Sequence, residues 1–154
     1  MPAPPPADYQ AFEQSLRQGG LRAALAFLNQ RTPHRYTGIF RYDGEMLRNV
    51  ALHDKWNVDV ARGSDLPLAG AYCSVVHDTA GPLVVEDGAI DIRFPHLQGS
   101  PVLSYCGALI RDEQGNKYGA LCHYDVQPCQ AKASDLPLMV AATSPLYGAL
   151  RGRQ

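Results

Sequence analysis

Two β-prone runs late in the chain constrain its fold more than any other feature. Ser104 to Ile110 and Tyr118 to Asp125 flank a polar segment that contains Gly115, a pattern typical of a β-hairpin with a bulged turn. Alternate positions of the first run form two sets, both apolar or small: Cys106, Ala108 and Ile110, and Tyr105, Gly107 and Leu109. Because both faces of such a sheet avoid water, the sequence predicts a cover on each side.

Helical segments can supply the first cover. Asp8 is a candidate N-cap, and apolar residues recur at helical spacing until Gly19-Gly20 ends the segment. A second helical segment follows and ends at Thr32-Pro33, because a residue before proline avoids the α region. The segment from Ser134 to Leu150 is predicted to be a final helix, with Ser134 as its cap and a kink at Pro145.

A first hairpin and a covering loop complete the predicted domain. Arg35 to Tyr42 and Glu45 to His53 flank Asp43-Gly44, a dipeptide that tolerates the positive φ of a type I′ turn. Leu83 to Val85 is a short strand. The remaining stretch, Asp54 to Gly99, is rich in Gly, Pro and Asp, so we expect it to cover the second face and to enclose a pocket against the sheet.

Length and charge set further limits. The 154 residues predict one domain over residues 8–150, between a disordered Pro-rich tail at 1–7 and a short tail at 151–154. The formal net charge of −1 provides no electrostatic footprint for nucleic acid or anionic lipid. No apolar run is long enough to span a membrane and no signal segment occurs. We therefore expect a cytoplasmic protein with reduced cysteines.

The ordered set of segments resembles the GAF domain family from about Leu21 to Leu150. The most specific stretches are Leu68 to Val76, Pro82 to Asp87 and Asp91 to Phe94, followed by the hairpin from Tyr105 to Asp125. The resemblance implies an α/β (α+β) fold of the GAF/PAS-like kind, with helices on one face of a central antiparallel sheet and a loop-covered pocket on the other. Family ligands include cyclic nucleotides, tetrapyrroles, amino acids and metal centres, so the ligand and any cofactor stay unidentified.

The resemblance also implies a regulatory role. Most members of the family are fused to a kinase, cyclase or transcription-factor output domain, whereas this sequence ends at Gln154. We expect a small-molecule-binding sensory domain that acts as a standalone signalling module, with a structural dimerisation module as one alternative. Because such domains commonly dimerise through terminal helices, a homodimer is expected, through Leu16, Leu21, Leu25 and the segment Leu138 to Leu150.

Eight residues are candidates for ligand binding on the basis of the resemblance: Tyr72, Cys73, Asp87, Asp91, Arg93, Phe94, Tyr105 and His123. The Cys73 thiol would contact a ligand or sense an oxidant, unless it simply packs in the core. Arg93 would pair with a ligand carboxylate or phosphate, or else with a nearby aspartate. His123, which the alternation places on the face of Tyr105 and Leu121, would bind a ligand or heme, or serve only a structural role.

The cysteines and histidines do not predict a metal site. No C-x-x-C motif occurs and the histidines are scattered, which argues against zinc. If the second turn centres near Gln114, Cys106 and Cys122 lie opposite each other, although a slip of one residue would separate them. Cys122-His123 lies on a strand, unlike the bilin-carrying pair of phytochromes, and Cys129 is expected in a surface loop.

One catalytic branch of the resembled family, the free methionine-R-sulfoxide reductases, is the enzyme alternative. These enzymes use loop cysteines to attack a sulfoxide and then form a disulfide. Their nucleophile lies in the loop before the strand that begins here at Ser104, and Pro95 to Pro101 contains no cysteine. We therefore expect that the chain is not an enzyme, and keep a thiol-dependent redox enzyme as the alternative.

Overall fold

The computed structural model describes residues 2–130 and 135–152. Its helices and strands are, in chain order, α1 (Pro6–Asn29), β1 (Tyr36–Asp43), β2 (Met46–Asp54), β3 (Leu66–Pro67), α2 (Tyr72–Thr79), β4 (Leu83–Val85), β5 (Ser104–Arg111), β6 (Lys117–Asp125) and α3 (Leu136–Arg151). The strands form one sheet in the order β3-β2-β1-β6-β5-β4. All paired neighbours are antiparallel, so the predicted α+β class with a central antiparallel sheet is confirmed.

Helix α1 consists of two parts separated at Gly20. This glycine has φ 72° and ψ −161°, which interrupts the helix where the sequence predicts a break. The helix begins at Pro6, inside the predicted disordered tail, because proline suits a first helical turn that needs no amide donor. Asp8 is not the N-cap; its carboxylate instead pairs with Arg31 at 3.0 Å.

Strands β1 and β2 form the predicted first hairpin with a different turn. Asp43 still pairs with Met46, so Gly44 and Glu45 form the two-residue loop. Of these two, only Gly44 has a positive φ, 60°. A positive φ at the first central position alone is typical of a type II′ turn, so the predicted type I′ turn is wrong.

Strands β5 and β6 form the predicted second hairpin, with a bulge close to its turn. Arg111 pairs with Lys117, but the next pair is Ile110 with Gly119. Tyr118 is therefore an extra residue on β6, and every pair beyond it is displaced by one position.

The bulge corrects two predictions about which side chains share a face. Cys106 pairs with His123, and Cys122 pairs with Gly107. Cys106 and Cys122 thus point to opposite faces of the sheet. The prediction that they are directly paired across the hairpin is wrong. His123 likewise lies on the face opposite Tyr105, not on the same face.

Both faces of the sheet are covered, as the two-sided alternation predicts. Helices α1 and α3 pack on one face, against the buried strand residues Ile39, Ala51, Cys106, Ile110 and Leu121. Helix α2 and the segments around it pack on the other, against Phe40, Leu47, Tyr105, Ala120 and Cys122. We call these the helix side and the loop side.

Helix α3 closes the helix side. Its buried residues are Leu138, Met139, Ala142, Leu146 and Leu150, which recur at helical spacing. The helix continues through Pro145, the predicted position of a kink, to Arg151. Ser134, the predicted cap, lies outside the described residues. No helix in the described ranges is long and apolar enough to cross a membrane.

A column of stacked groups runs from the surface to the loop side. Trp56 is 70% exposed, and the Arg35 guanidinium lies 4.3 Å from the centre of its ring. The same guanidinium lies 4.7 Å from the ring of Tyr36, which stacks on Tyr124 with ring centroids 5.0 Å apart. Two hydrogen bonds to Asp54, at 2.8 and 3.0 Å, fix Arg35 in this position.

Candidate functional site

A cavity of about 350 Å³ lies between the sheet and the segment that covers its loop side. The sheet contributes Phe40, Tyr105, Cys122 and Tyr124 to the lining. The covering segment contributes residues between Leu66 and Cys73 and between Ser100 and Val102. The pocket expected beneath the long loop is therefore present.

The lining of the cavity is apolar and aromatic, and it contains no charged side chain among the described residues. Its polar side-chain atoms are the hydroxyls of tyrosines and Ser100 and the thiols of Cys73 and Cys122. An isolated charge is very costly to bury without a partner. The cavity therefore suits an uncharged molecule.

Helix α2 holds Tyr72 and Cys73 against the sheet. The helix begins at Tyr72, directly after the extended backbone of Ala71, and its buried residues are Tyr72, Cys73 and Val76. The Tyr42 hydroxyl of β1 donates a 2.8 Å hydrogen bond to the carbonyl of Cys73. This bond fixes the first turn of α2 relative to β1 and so to the sheet.

Cys73, Cys122 and Tyr105 form a polar cluster in the cavity wall. The Cys73 Sγ lies 3.1 Å from the Tyr105 hydroxyl. The neighbouring Cys122 thiol lowers the pKa of Cys73, burial opposes the shift, and the Tyr105 hydroxyl adds to the lowering. Burial raises the pKa of both the Cys122 thiol and the Tyr105 hydroxyl. Cys73 is thus the member of the cluster that most readily ionises.

The Tyr72 hydroxyl points past the cavity toward the loop after β4. A Cβ atom placed on Gly88 would lie 2.2 Å from this hydroxyl, so glycine is needed for the close approach. The hydroxyl is buried and has no hydrogen-bond partner within the described residues. Phe94 packs edge-on against the Tyr72 ring, with centroids 6.2 Å apart, and supports it from outside the cavity.

Asp87, Asp91 and Arg93 are not brought to the cavity. Arg93 hydrogen-bonds both carboxylate oxygens of Asp91, with a shortest distance of 2.7 Å, and donates to the carbonyl of Val84. The Arg93 guanidinium lowers the pKa of Asp91. Asp87 accepts a hydrogen bond from the backbone amide of Ala89 at 3.1 Å. The structure therefore shows the alternative in which Arg93 pairs with an aspartate of its own loop.

His123 belongs to the helix side and does not reach the cavity. It is fully buried, and its Nδ1 lies 2.6 Å from the Thr37 hydroxyl. Its ring stacks on that of His34. His123 therefore does not belong to the lining of this cavity. No group of three or more side chains suited to a metal occurs in the part of the chain that the structure describes.

No protein-family profile matches the sequence, and no curated protein is significantly similar to it. Solved structures, by contrast, include proteins whose fold is similar to that of this chain. The GAF domain from an Acinetobacter phosphoenolpyruvate-protein phosphotransferase matches with a TM-score of 0.72 and 15% identity, over 95% of this chain and 92% of that chain. The chain has the GAF-domain fold.

Other structures with the GAF fold have different functions. Free methionine-R-sulfoxide reductase from Neisseria meningitidis, solved in complex with its substrate, matches with a TM-score of 0.69 and 15% identity, over 95% of this chain and 89% of that chain. The photosensory core module of Stigmatella aurantiaca phytochrome matches with a TM-score of 0.67 and 12% identity, over 96% of this chain and 37% of that one. At these identities the comparisons establish the fold alone.

Within this GAF fold, three of the eight candidate residues line the cavity: Tyr72, Cys73 and Tyr105. The sequence reasoning missed Phe40, Cys122 and Tyr124, which the sheet contributes from β1 and β6. Alternation along β6 predicts that Cys122 and Tyr124 share a face. Only the strand register beyond the bulge shows that Tyr105 of β5 lies on the same face.

Proposed function

We propose that this GAF domain is a regulatory module that binds a compact, uncharged small molecule between its sheet and the covering segment. The observation that carries the proposal is the cavity of about 350 Å³ with its charge-free lining. Its volume lies at the small end of the range for ligand pockets, roughly 300 to 1,000 Å³. Burial of apolar ligand surface would supply most of the affinity.

The aromatic lining favours a ligand with a flat ring. Phe40, Tyr105 and Tyr124 offer ring faces and edges, and offset or edge-on contacts between aromatic rings add stability beyond simple burial. The thiols and hydroxyls can accept or donate one or two hydrogen bonds to such a ring. A phosphate or propionate group would enter this cavity without a cation to pair with, which disfavours nucleotides and tetrapyrroles.

Thermal unfolding with matched pairs of compounds tests this proposal. The panel consists of uncharged one-ring and two-ring aromatic amides, each paired with the corresponding carboxylate. We expect the amides to raise the melting temperature with increasing concentration, because a ligand that binds the native state alone stabilises it. Stabilisation by carboxylates equal to that by amides, or no response to the panel, would overturn the proposal.

An occluding variant shows whether any response comes from the cavity. Ala71 lines the cavity, and its extended backbone accepts a larger side chain, so Ala71→Phe should fill the space and abolish the amide response. Ala89→Phe is the matched control, because Ala89 is exposed and does not line the cavity. A response that survives in Ala71→Phe would place the binding elsewhere.

We also propose that the domain acts as a cytoplasmic homodimer. Leu21 and Leu25 are used inside the chain's own core, where they are 8% and 1% exposed, so they leave little surface for a partner. The half-buried Leu16 and Tyr147, on α1 and α3, remain available for a helical interface. Light scattering after size exclusion should report twice the chain mass at micromolar concentration, and Leu16→Glu should yield the monomer. A monomeric wild type would refute the homodimer.

A thiol-dependent redox enzyme is the second candidate function, and the contact between Cys73 and Tyr105 favours it. Incubation with free methionine-R-sulfoxide and dithiothreitol tests it directly. Turnover that disappears in Cys73→Ser would support the enzyme. If no sulfoxide is consumed, or if Cys73→Ser retains full turnover, this mechanism is wrong.

A further inference from the structure

The cavity wall contains two thiols that binding of an uncharged ligand does not require. Cys73 on α2 and Cys122 on β6 are 4% and 1% exposed to bulk water, yet both line the cavity. The two residues are 49 positions apart in the sequence, yet they belong to the same buried cluster, and each thiol shifts the pKa of the other. The Tyr105 hydroxyl completes the cluster, 3.1 Å from the Cys73 Sγ.

We propose that Cys73 and Cys122 form a peroxide-reactive dithiol that closes to a disulfide when a small, uncharged hydroperoxide enters the cavity. The proposal does not depend on a bound regulatory ligand. It assigns Cys73 as the attacking residue and Cys122 as the resolving residue. Tyr105 is a positioning residue, whose hydroxyl stabilises the ionised sulfur of Cys73.

The reaction balances as a two-electron oxidation of the dithiol. The Cys73 thiolate attacks one peroxide oxygen and breaks the O–O bond; the other oxygen leaves, takes up the proton that Cys73 released, and becomes water or an alcohol. Cys73 is then a sulfenic acid. The Cys122 thiol displaces the sulfenic hydroxyl as water, and an S–S bond forms. A dithiol such as dithiothreitol reverses the step by exchange.

The surroundings of the two sulfurs assign these roles. The thiolate is the nucleophilic form of cysteine, and the Cys122 thiol and the Tyr105 hydroxyl, whose oxygen lies 3.1 Å from the Cys73 Sγ, lower the pKa of Cys73. Burial raises the pKa of the Cys122 thiol, which keeps it protonated until the sulfenic acid forms. Its Sγ lies 3.7 Å from the carbonyl oxygen of Gly38, a neutral partner that does not promote ionisation.

The cavity lining selects the oxidant. Hydrogen peroxide and small organic hydroperoxides are uncharged, so the charge-free lining admits them. The other two cysteines are placed differently. Cys106 lies on the helix side with its Sγ 3.5 Å from the sulfur of Met139, and Cys129 is half-buried in the segment after β6.

Peptide mapping of the oxidised wild-type chain tests the proposal without any ligand. The folded protein is treated with hydrogen peroxide, blocked with iodoacetamide, digested and analysed by mass spectrometry. We expect a cross-link between the peptides that contain Cys73 and Cys122, a mass loss of two hydrogens and full reversal by dithiothreitol. Oxidation confined to Cys129, or to sulfinic acid without the cross-link, would overturn the proposal.

Two kinds of variant distinguish this pair from the remaining cysteines. Cys106→Ala and Cys129→Ala should still form the cross-link at the wild-type rate. Cys122→Ala should still allow Cys73 to react with peroxide, more slowly than in the wild type, but the reaction should stop at the sulfenic acid, which dimedone traps. Formation of the same loss of two hydrogens in Cys122→Ala would show that another thiol resolves the reaction, and would refute the pair.

Tyr105→Phe tests the positioning role while both thiols remain. Loss of a hydrogen bond to an ionised group should slow the first step about tenfold and raise the pH at which the rate is half-maximal. The yield of cross-link at completion should stay the same. A rate and pH profile identical to those of the wild type would remove Tyr105 from the mechanism.

Discussion

His34 and His123 lie face to face on the helix side of the sheet, with ring centroids 5.9 Å apart and ring planes inclined by 14°. Their Nδ1 atoms lie 2.5 Å from the Thr32 hydroxyl and 2.6 Å from the Thr37 hydroxyl, respectively. Burial lowers the pKa of His34 to about 4 and the pKa of His123 to about 3. Both imidazoles therefore remain neutral in the folded protein at neutral pH.

We expect the free energy of unfolding to fall as the pH decreases from 7 to 5. Histidine in an unfolded chain protonates near pH 6.5, whereas these two stay neutral in the fold, so the unfolded state binds more protons in this range. The loss should be about 1 to 2 kcal/mol per histidine. Urea unfolding at both pH values measures it. His123→Gln should reduce this pH dependence, and His96→Gln, at an exposed position, should preserve it.

Gly119→Ala is expected to disrupt the pairing of β1 with β6. A Cβ atom at this position would lie 2.1 Å from the carbonyl oxygen of Phe40, a backbone atom that cannot move without breaking the ladder. We expect a loss of about 2 kcal/mol or more in the free energy of unfolding. Gly148→Ala, at an exposed position of α3, is the matched control, because a Cβ there meets nothing within 4 Å and should stabilise the helix by about 0.5 to 1 kcal/mol. Equal effects of the two substitutions in urea unfolding would contradict this account.

Tyr72→Phe should leave the stability of the free protein unchanged or raise it by up to about 1 kcal/mol. The hydroxyl that it removes is buried without a hydrogen-bond partner in the described structure. Tyr42→Phe is the comparison, because it removes the bond to the Cys73 carbonyl and should cost about 1 kcal/mol. The melting temperature of Tyr72→Phe should be higher than that of Tyr42→Phe. The reverse order would contradict this prediction.

The sequence allowed the layers of the fold to be predicted, but not the register of its second hairpin. Two-sided alternation in β5 predicts a covered sheet, because a strand's side chains must point to opposite faces. The extra residue Tyr118 leaves no mark in that pattern, since it is the first residue of the second β-prone run and stands next to the turn. Its insertion moves Cys122 away from Cys106 and toward Cys73, so a single bulge decides which two cysteines meet.

The candidate site was predictable only where a regular element carries it. Tyr72 and Cys73 belong to α2, whose buried positions follow helical spacing. Arg93 lies in a loop without periodicity, where a neighbour two positions away, Asp91, satisfies its guanidinium. Local pairing of this kind depends on the backbone path, which no spacing rule gives.

The stacked column from Trp56 through Arg35 and Tyr36 to Tyr124 links tryptophan fluorescence at the surface to the wall of the cavity. Trp56 is the chain's single tryptophan, and Tyr124 forms part of the cavity lining. Light absorbed by the stacked tyrosines can transfer to the indole over these short separations and emerge as tryptophan emission. A ring that settles against Tyr124 would compete for that excitation, so occupancy of the interior would be visible as a dimming of an exposed indole.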